Sequence, residues 1–123
     1  MGYSTQIGRA DGGTEIGVVP AAQTTLVAGT TEVPGAINQI VPVAGSTAVR
    51  LPFGAGGPIV IKNLAATAVT LLVFPPWNPM TNAAAGGKIN GGSGNASISV
   101  AQNASAVLFP HANGIDFTAV VGS

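Results

Sequence analysis

Eighteen glycines and nine prolines punctuate the 123 residues and leave few uninterrupted windows in which a helix could propagate. The apolar segments between them are rich in Val, Ile and Thr, whose branched side chains favour extended backbone. Strands separated by turns follow from both facts, and the length suits one domain with one core.

The expected strands are residues 37–43, 46–51, 58–63, 68–74, 88–89, 96–100, 105–110 and 115–121. Residues 58–63 and 68–74 read as a neighbouring pair joined by Leu64-Ala65-Ala66-Thr67. Val69, Leu71 and Val73 share one face of the later strand, and Thr70, Leu72 and Phe74 share the other. Apolar residues on both faces are the pattern of a central strand covered by two layers. Asn113-Gly114 readily supplies the positive φ angles of a tight hairpin turn between the last two strands. Some seven short strands with closely spaced turns predict an antiparallel β-sandwich or jelly-roll-like domain over residues 36–123. Residues 1–35 carry three of the four acidic side chains and are broken by Asp11-Gly12-Gly13, Val19-Pro20 and Val33-Pro34-Gly35. They read as an extended N-terminal arm that gains order by lying on another surface.

Charge is scarce. Four basic and four acidic residues make up 7% of the chain, against roughly 25% in an ordinary soluble domain. With 46% hydrophobic residues the chain is not disordered, and with zero formal charge its surface invites association. Self-assembly or docking on a larger body is the expected consequence. Four scattered basic residues do not make a nucleic-acid surface, which needs clustered Lys and Arg. No apolar run is long enough for a membrane-spanning helix, the start Met1-Gly2-Tyr3-Ser4-Thr5-Gln6 lacks a signal-peptide pattern, and Gln6 breaks the myristoylation motif. A soluble chain made in a cytoplasm is expected.

Catalytic patterns fail one by one. The chain has no cysteine, and His111 is its single histidine, with Asp116 the nearest carboxylate beyond it. The serines lack the Gly-x-Ser-x-Gly elbow. Gly86-Gly87-Lys88 resembles a phosphate loop superficially, but Asn82 and Ile89 stand where that loop needs Gly and Ser or Thr. The acidic residues do not pair as glycosidase carboxylates do. No enzyme activity, metal or cofactor is expected. Asn95 and Asn103 open Asn-x-Ser sequons, read as coincidence in an Asn- and Ser-rich chain. Trp77, in Pro75-Pro76-Trp77-Asn78-Pro79, is a packing or subunit-contact residue, or else a platform for a sugar ring.

From Gly57 onward a series of short motifs stands out: Ile61-Lys62-Asn63-Leu64, Val73-Phe74-Pro75-Pro76, Ile89-Asn90-Gly91, Asn95-Ala96-Ser97-Ile98-Ser99-Val100 and Ser105-Ala106-Val107-Leu108-Phe109. This half of the chain resembles bacteriophage capsid decoration (cement) proteins. The resemblance implies a small β-rich virion protein, a homotrimer bound to the major capsid protein outside an icosahedral shell. It also implies an N-terminal segment reaching onto that shell. Tyr3, Ile7, Arg9, Val18, Val19 and Trp77 are the expected capsid or subunit contacts. Residues 77–87 depart from the pattern as an insertion, and the alternative reading is a fibre or receptor- and glycan-binding module that uses this loop.

Overall fold

The structure, a computed structural model, describes residues 15–122. It is all-β: β1 (Glu15–Val18), β2 (Thr31–Glu32), β3 (Ile37–Ile40), β4 (Ala48–Arg50), β5 (Ile59–Asn63), β6 (Leu71–Phe74), β7 (Trp77–Asn78), β8 (Ala83–Ala84), β9 (Ile98–Val100), β10 (Ser105–Pro110) and β11 (Phe117–Gly122). Nine strands form two sheets, ordered β1-β3-β5-β10-β11 and β2-β4-β6-β9, and β7 and β8 make a small ribbon.

The chain alternates between the two sheets from β1 to β6, so successive strands within each sheet are parallel. Val18, Ile40 and Asn63 stand side by side in one sheet, at offsets of 22 and 23 residues. Thr31, Val49 and Val73 stand side by side in the other, at offsets of 18 and 24 residues. This is a coil whose turns each leave one half of their apolar face for the next to cover. Antiparallel pairing appears where the coil ends, at β5–β10, β10–β11 and β6–β9.

Three expectations are corrected here. The sheets are mixed rather than antiparallel, because a connection that crosses to the opposite sheet returns the chain in its starting direction. β5 and β6 are not partners; they lie in opposite sheets. The boundary at residue 36 also falls away within the described residues. β1 and β2 belong to the two sheets, and Val18 and Val33 are buried in the core.

The core is aliphatic, with Ile40, Val49, Leu51, Ile61, Leu71, Val73, Val100 and Leu108 fully buried around Phe117. Alternation assigns the faces: Ile61 and Ala106 are fully buried, while Val60 and Val107 between them point outward. Two asparagines, Asn38 and Asn63, are also fully buried, and both are satisfied. Asn63 Nδ2 donates to the carbonyls of Val69 and Val100, both at 2.9 Å, and its Oδ1 accepts from Ala65 N at 2.9 Å. Val100 lies in the opposite sheet, so Asn63 ties the two layers together. The expected hairpin is present as β10–β11, but its turn is not a tight one: six residues, 111–116, join the strands, and of the Asn113-Gly114 pair only Gly114 has positive φ, 79°.

Candidate assembly surface

The outer face of the five-stranded sheet carries an apolar row. Ile37, Val60, Val107 and Val120 are register partners across β3, β5, β10 and β11. Their side chains alternate away from the buried Asn38, Ile61 and Ala106. Val120 is 61% exposed, and Phe109, two residues along β10 on the same face, is 44% exposed. Glu15 ends the row, and Lys62 stands in the next outward row with Gln39 and Ser105. The Glu15 carboxylate accepts two hydrogen bonds from Gln39 Nε2, each 3.0 Å. These two charges are the ones this face presents among the described residues.

The other sheet is treated differently. Arg50 projects from its outer face and is half-buried there. Its Nη1 donates to the carbonyls of Ala28 at 3.0 Å and Val27 at 3.4 Å, so the segment leading to β2 lies across this face. Arg50 Nε sits 3.7 Å from Glu32 Oε1. Such a partly exposed pair contributes at most about 1 kcal/mol, so the segment's role is cover rather than strength.

An open cleft of about 380 Å³ separates the turn through Pro34 and Gly35 from the loop through Pro52 and Gly57. Glu32, already paired with Arg50, is the ionisable residue of its lining among the described residues. A wall of prolines, glycines and one engaged carboxylate brings no acid and base together. No group of three or more His, Cys, Asp or Glu able to hold a metal occurs among the described residues. His111 and Asp116 are neighbours across the hairpin end, but their side chains are used separately. His111 Nε2 lies 2.8 Å from Thr118 Oγ1, while the Asp116 carboxylate accepts from Asn113 Nδ2 and Lys88 N, each at 2.8 Å. The Asn113 hydrogen bond, and then the Lys88 N–H, hold the Asp116 carboxyl below its ordinary value.

Three of the expected contact residues, Val18, Val19 and Trp77, lie among the described residues. Tyr3, Ile7 and Arg9 lie outside the described residues. Val18 faces the core at 8% exposure and is unable to serve as a contact, because β1 points it inward; Val19, the next residue, is 73% exposed. Trp77 lies in a hairpin rather than a loop, with β7 and β8 paired and its Nε1 donating to Asn82 Oδ1 at 3.3 Å. The hairpin tip is exposed, Met80 to 82%. In Gly86-Gly87 the second glycine is closely packed, since a Cβ on Gly87 would stand 2.1 Å from Ile115 O, and the first turns the chain at φ 79°. Asn95 and Asn103 form turns, both at φ 64°.

The apolar row was missed in the sequence. Each strand looks ordinary, and the signal exists only when non-local registers align Ile37, Val60, Val107 and Val120. Among the described residues no helix is long and apolar enough to cross a membrane. No protein-family model, curated protein or solved structure matches the chain.

Proposed function

We propose that this chain is a structural virion subunit that decorates a bacteriophage capsid, docking through the outer face of its five-stranded sheet. The observation that carries the reading is the apolar row of Ile37, Val60, Val107 and Val120 with Phe109, exposed at Val120 and Phe109 and half-buried at the other three, on a chain with few charges to keep such a face in water. The shell and the homotrimer come from the resemblance of residues 57–123 to decoration proteins. The segment before β1, with Tyr3, Ile7 and Arg9, supplies the reach onto the major capsid protein.

Size decides the mechanism. Five strands about 4.8 Å apart and some four to six residues tall give a face of roughly 300–400 Å². Two such faces bury less than the ~1,200 Å² of a stable pairwise interface. One contact is therefore weak, and stable decoration comes from several copies bound together, each raising the effective concentration of the others.

Co-sedimentation with phage heads stripped of decoration protein tests this. The chain pellets with the heads, and Val107→Lys, which places a charge in the row, stays in the supernatant while folded. Pelleting unaffected by Val107→Lys would remove the face from the account. A second reading, a receptor- or glycan-binding hairpin, has the exposed tip at Met80 behind it; there Trp77→Ala would abolish glycan binding and leave sedimentation with heads unchanged.

A further inference from the structure

We infer that β1 is a second assembly element, pairing antiparallel with β1 of another copy about a two-fold axis through Ile16. This goes beyond the docking face, because it concerns the edge of the sheet.

β1 is a terminal strand of its sheet. The Val41 N–H donates to Val18 O at 2.9 Å, so Ile16 and Val18 carry the ladder to β3. By alternation Glu15 and Gly17 direct their N–H and C=O groups away from the sheet. The opposite edge is guarded: Lys88 and Asn90 pair with the backbone of Phe117, and the Asn90 side chain pairs with Ala119. Among the described residues β1 has no such guard, and the other terminal strands, β2 and β9, are shorter. Its one charge is drawn back over its own sheet by Gln39. Natural edge strands are usually blunted by charges, prolines or bulges.

Gly17 adds an independent observation. Its φ is not positive, and nothing lies within 4 Å of where a Cβ would be, so the described residues give no reason for glycine. Glycine inside a strand weakens it, and close approach of another backbone is one of the reasons a strand keeps one. Ile16, on the core side of the strand, is left 36% exposed at the sheet margin.

One register satisfies all three residues. With Ile16 opposite Ile16 of the second copy, Glu15 faces Gly17 of that copy twice over, giving four backbone hydrogen bonds. Each Glu15 side chain lies beside a glycine, and the two isoleucines cover each other. Centring on Glu15 would oppose two carboxylates, which is unfavourable. Centring on Gly17 would leave Ile16 facing Val18, which is already buried. A two-fold contact on a shell joins copies from neighbouring trimers.

The chain has no cysteine, so Ile16→Cys gives a single thiol. In the inferred register the two Cα atoms form a non-hydrogen-bonded pair about 4.5 Å apart, within the range a disulfide spans. Mild oxidation of the full chain at high concentration should convert most of it to a disulfide-linked dimer. Adding Gly17→Pro, which deletes the outward N–H while sparing the ladder to β3, should reduce that dimer at least tenfold with the β circular dichroism unchanged. Absence of dimer in folded Ile16→Cys protein would overturn the inference. That result would arise if residues of the same chain held the edge, or if the register were centred on Gly17, where the thiols would be diagonal and about 7 Å apart. A dimer that Gly17→Pro leaves intact would overturn it equally. Sedimentation with heads is read separately through Val107→Lys, so either proposal can fail alone.

Discussion

The side chain of Asn90 forms a β-ladder rung with the backbone of Ala119. Asn90 Oδ1 accepts from Ala119 N at 2.8 Å, and Asn90 Nδ2 donates to Ala119 O at 3.1 Å. Two residues earlier on the strand, Phe117 makes the same pair of contacts with real backbone, donating to Lys88 O and accepting from Asn90 N, each at 2.9 Å. Asn90 sits at φ 55°, which turns the chain away from β11 after this last rung. The edge is thereby occupied up to Ala119, where a carboxamide makes the last rung.

Asn90→Gly keeps the left-handed conformation and deletes the rung, and should cost about 1 kcal/mol in denaturant unfolding. Asn90→Ala deletes the rung and adds a β-carbon at positive φ, and should cost roughly 1 kcal/mol more. Both should aggregate faster than the parent protein on heating, measured by turbidity, because the edge at Ala119 is then bare.

Asn63 answers to a different measurement. Replacing it with Ala leaves Val69 O, Val100 O and Ala65 N without their partner in a buried site. A loss of about 3 kcal/mol in urea unfolding is expected. An outcome near zero would mean that the two sheets are not tied through this side chain.

The glycines divide by what surrounds them. Gly87→Ala drives a Cβ into Ile115 O and must displace the backbone before Lys88, so about 2 kcal/mol or more should be lost. Gly17→Ala meets nothing in the described chain and should leave thermal unfolding unchanged or raise stability by about 0.5 kcal/mol.

Asp116 gives the pH dependence. Its carboxyl is held below the ordinary value of 3.8, chiefly by Asn113 and then by Lys88 N–H. The folded state therefore binds this proton less readily than the unfolded state. The associated stability is present above 3.8 and is lost as pH falls through the lower folded value. Asp116→Asn should flatten that acid limb in unfolding curves measured across pH and leave the neutral region's slope untouched.

What the sequence disclosed depends on how local the signal was. β10 and β11 were legible because alternation and Asn113-Gly114 lie within one short stretch, and the observed β10 spans the expected residues. β5 and β6 were misread as partners because Leu64-Ala65-Ala66-Thr67 has the length of a hairpin loop. The structure instead uses that stretch to cross between sheets, with Asn63 Oδ1 fixing Ala65 N at the start of the crossing. Parallel order was hidden because each partner lies a full coil turn away. A trace of it was present all the same: Val19-Pro20 and Val41-Pro42 recur at 22 residues, the offset by which Val18 and Ile40 pair. The contact residues placed in the arm had no such support, and Val18 shows why position alone misleads. Strand alternation, which places neighbouring residues on opposite faces, sends it into the core.

Multi-angle light scattering of the purified chain, alongside a Val60→Lys, Val107→Lys double variant, tests the central claim that the apolar row is an assembly face. The parent protein should show a mass that is a multiple of 12.0 kDa and rises with concentration, and the folded variant should lose every state larger than the dimer that β1 pairing alone can hold. A parent protein that stays at 12.0 kDa across the whole concentration series, indistinguishable from the variant, would contradict the account.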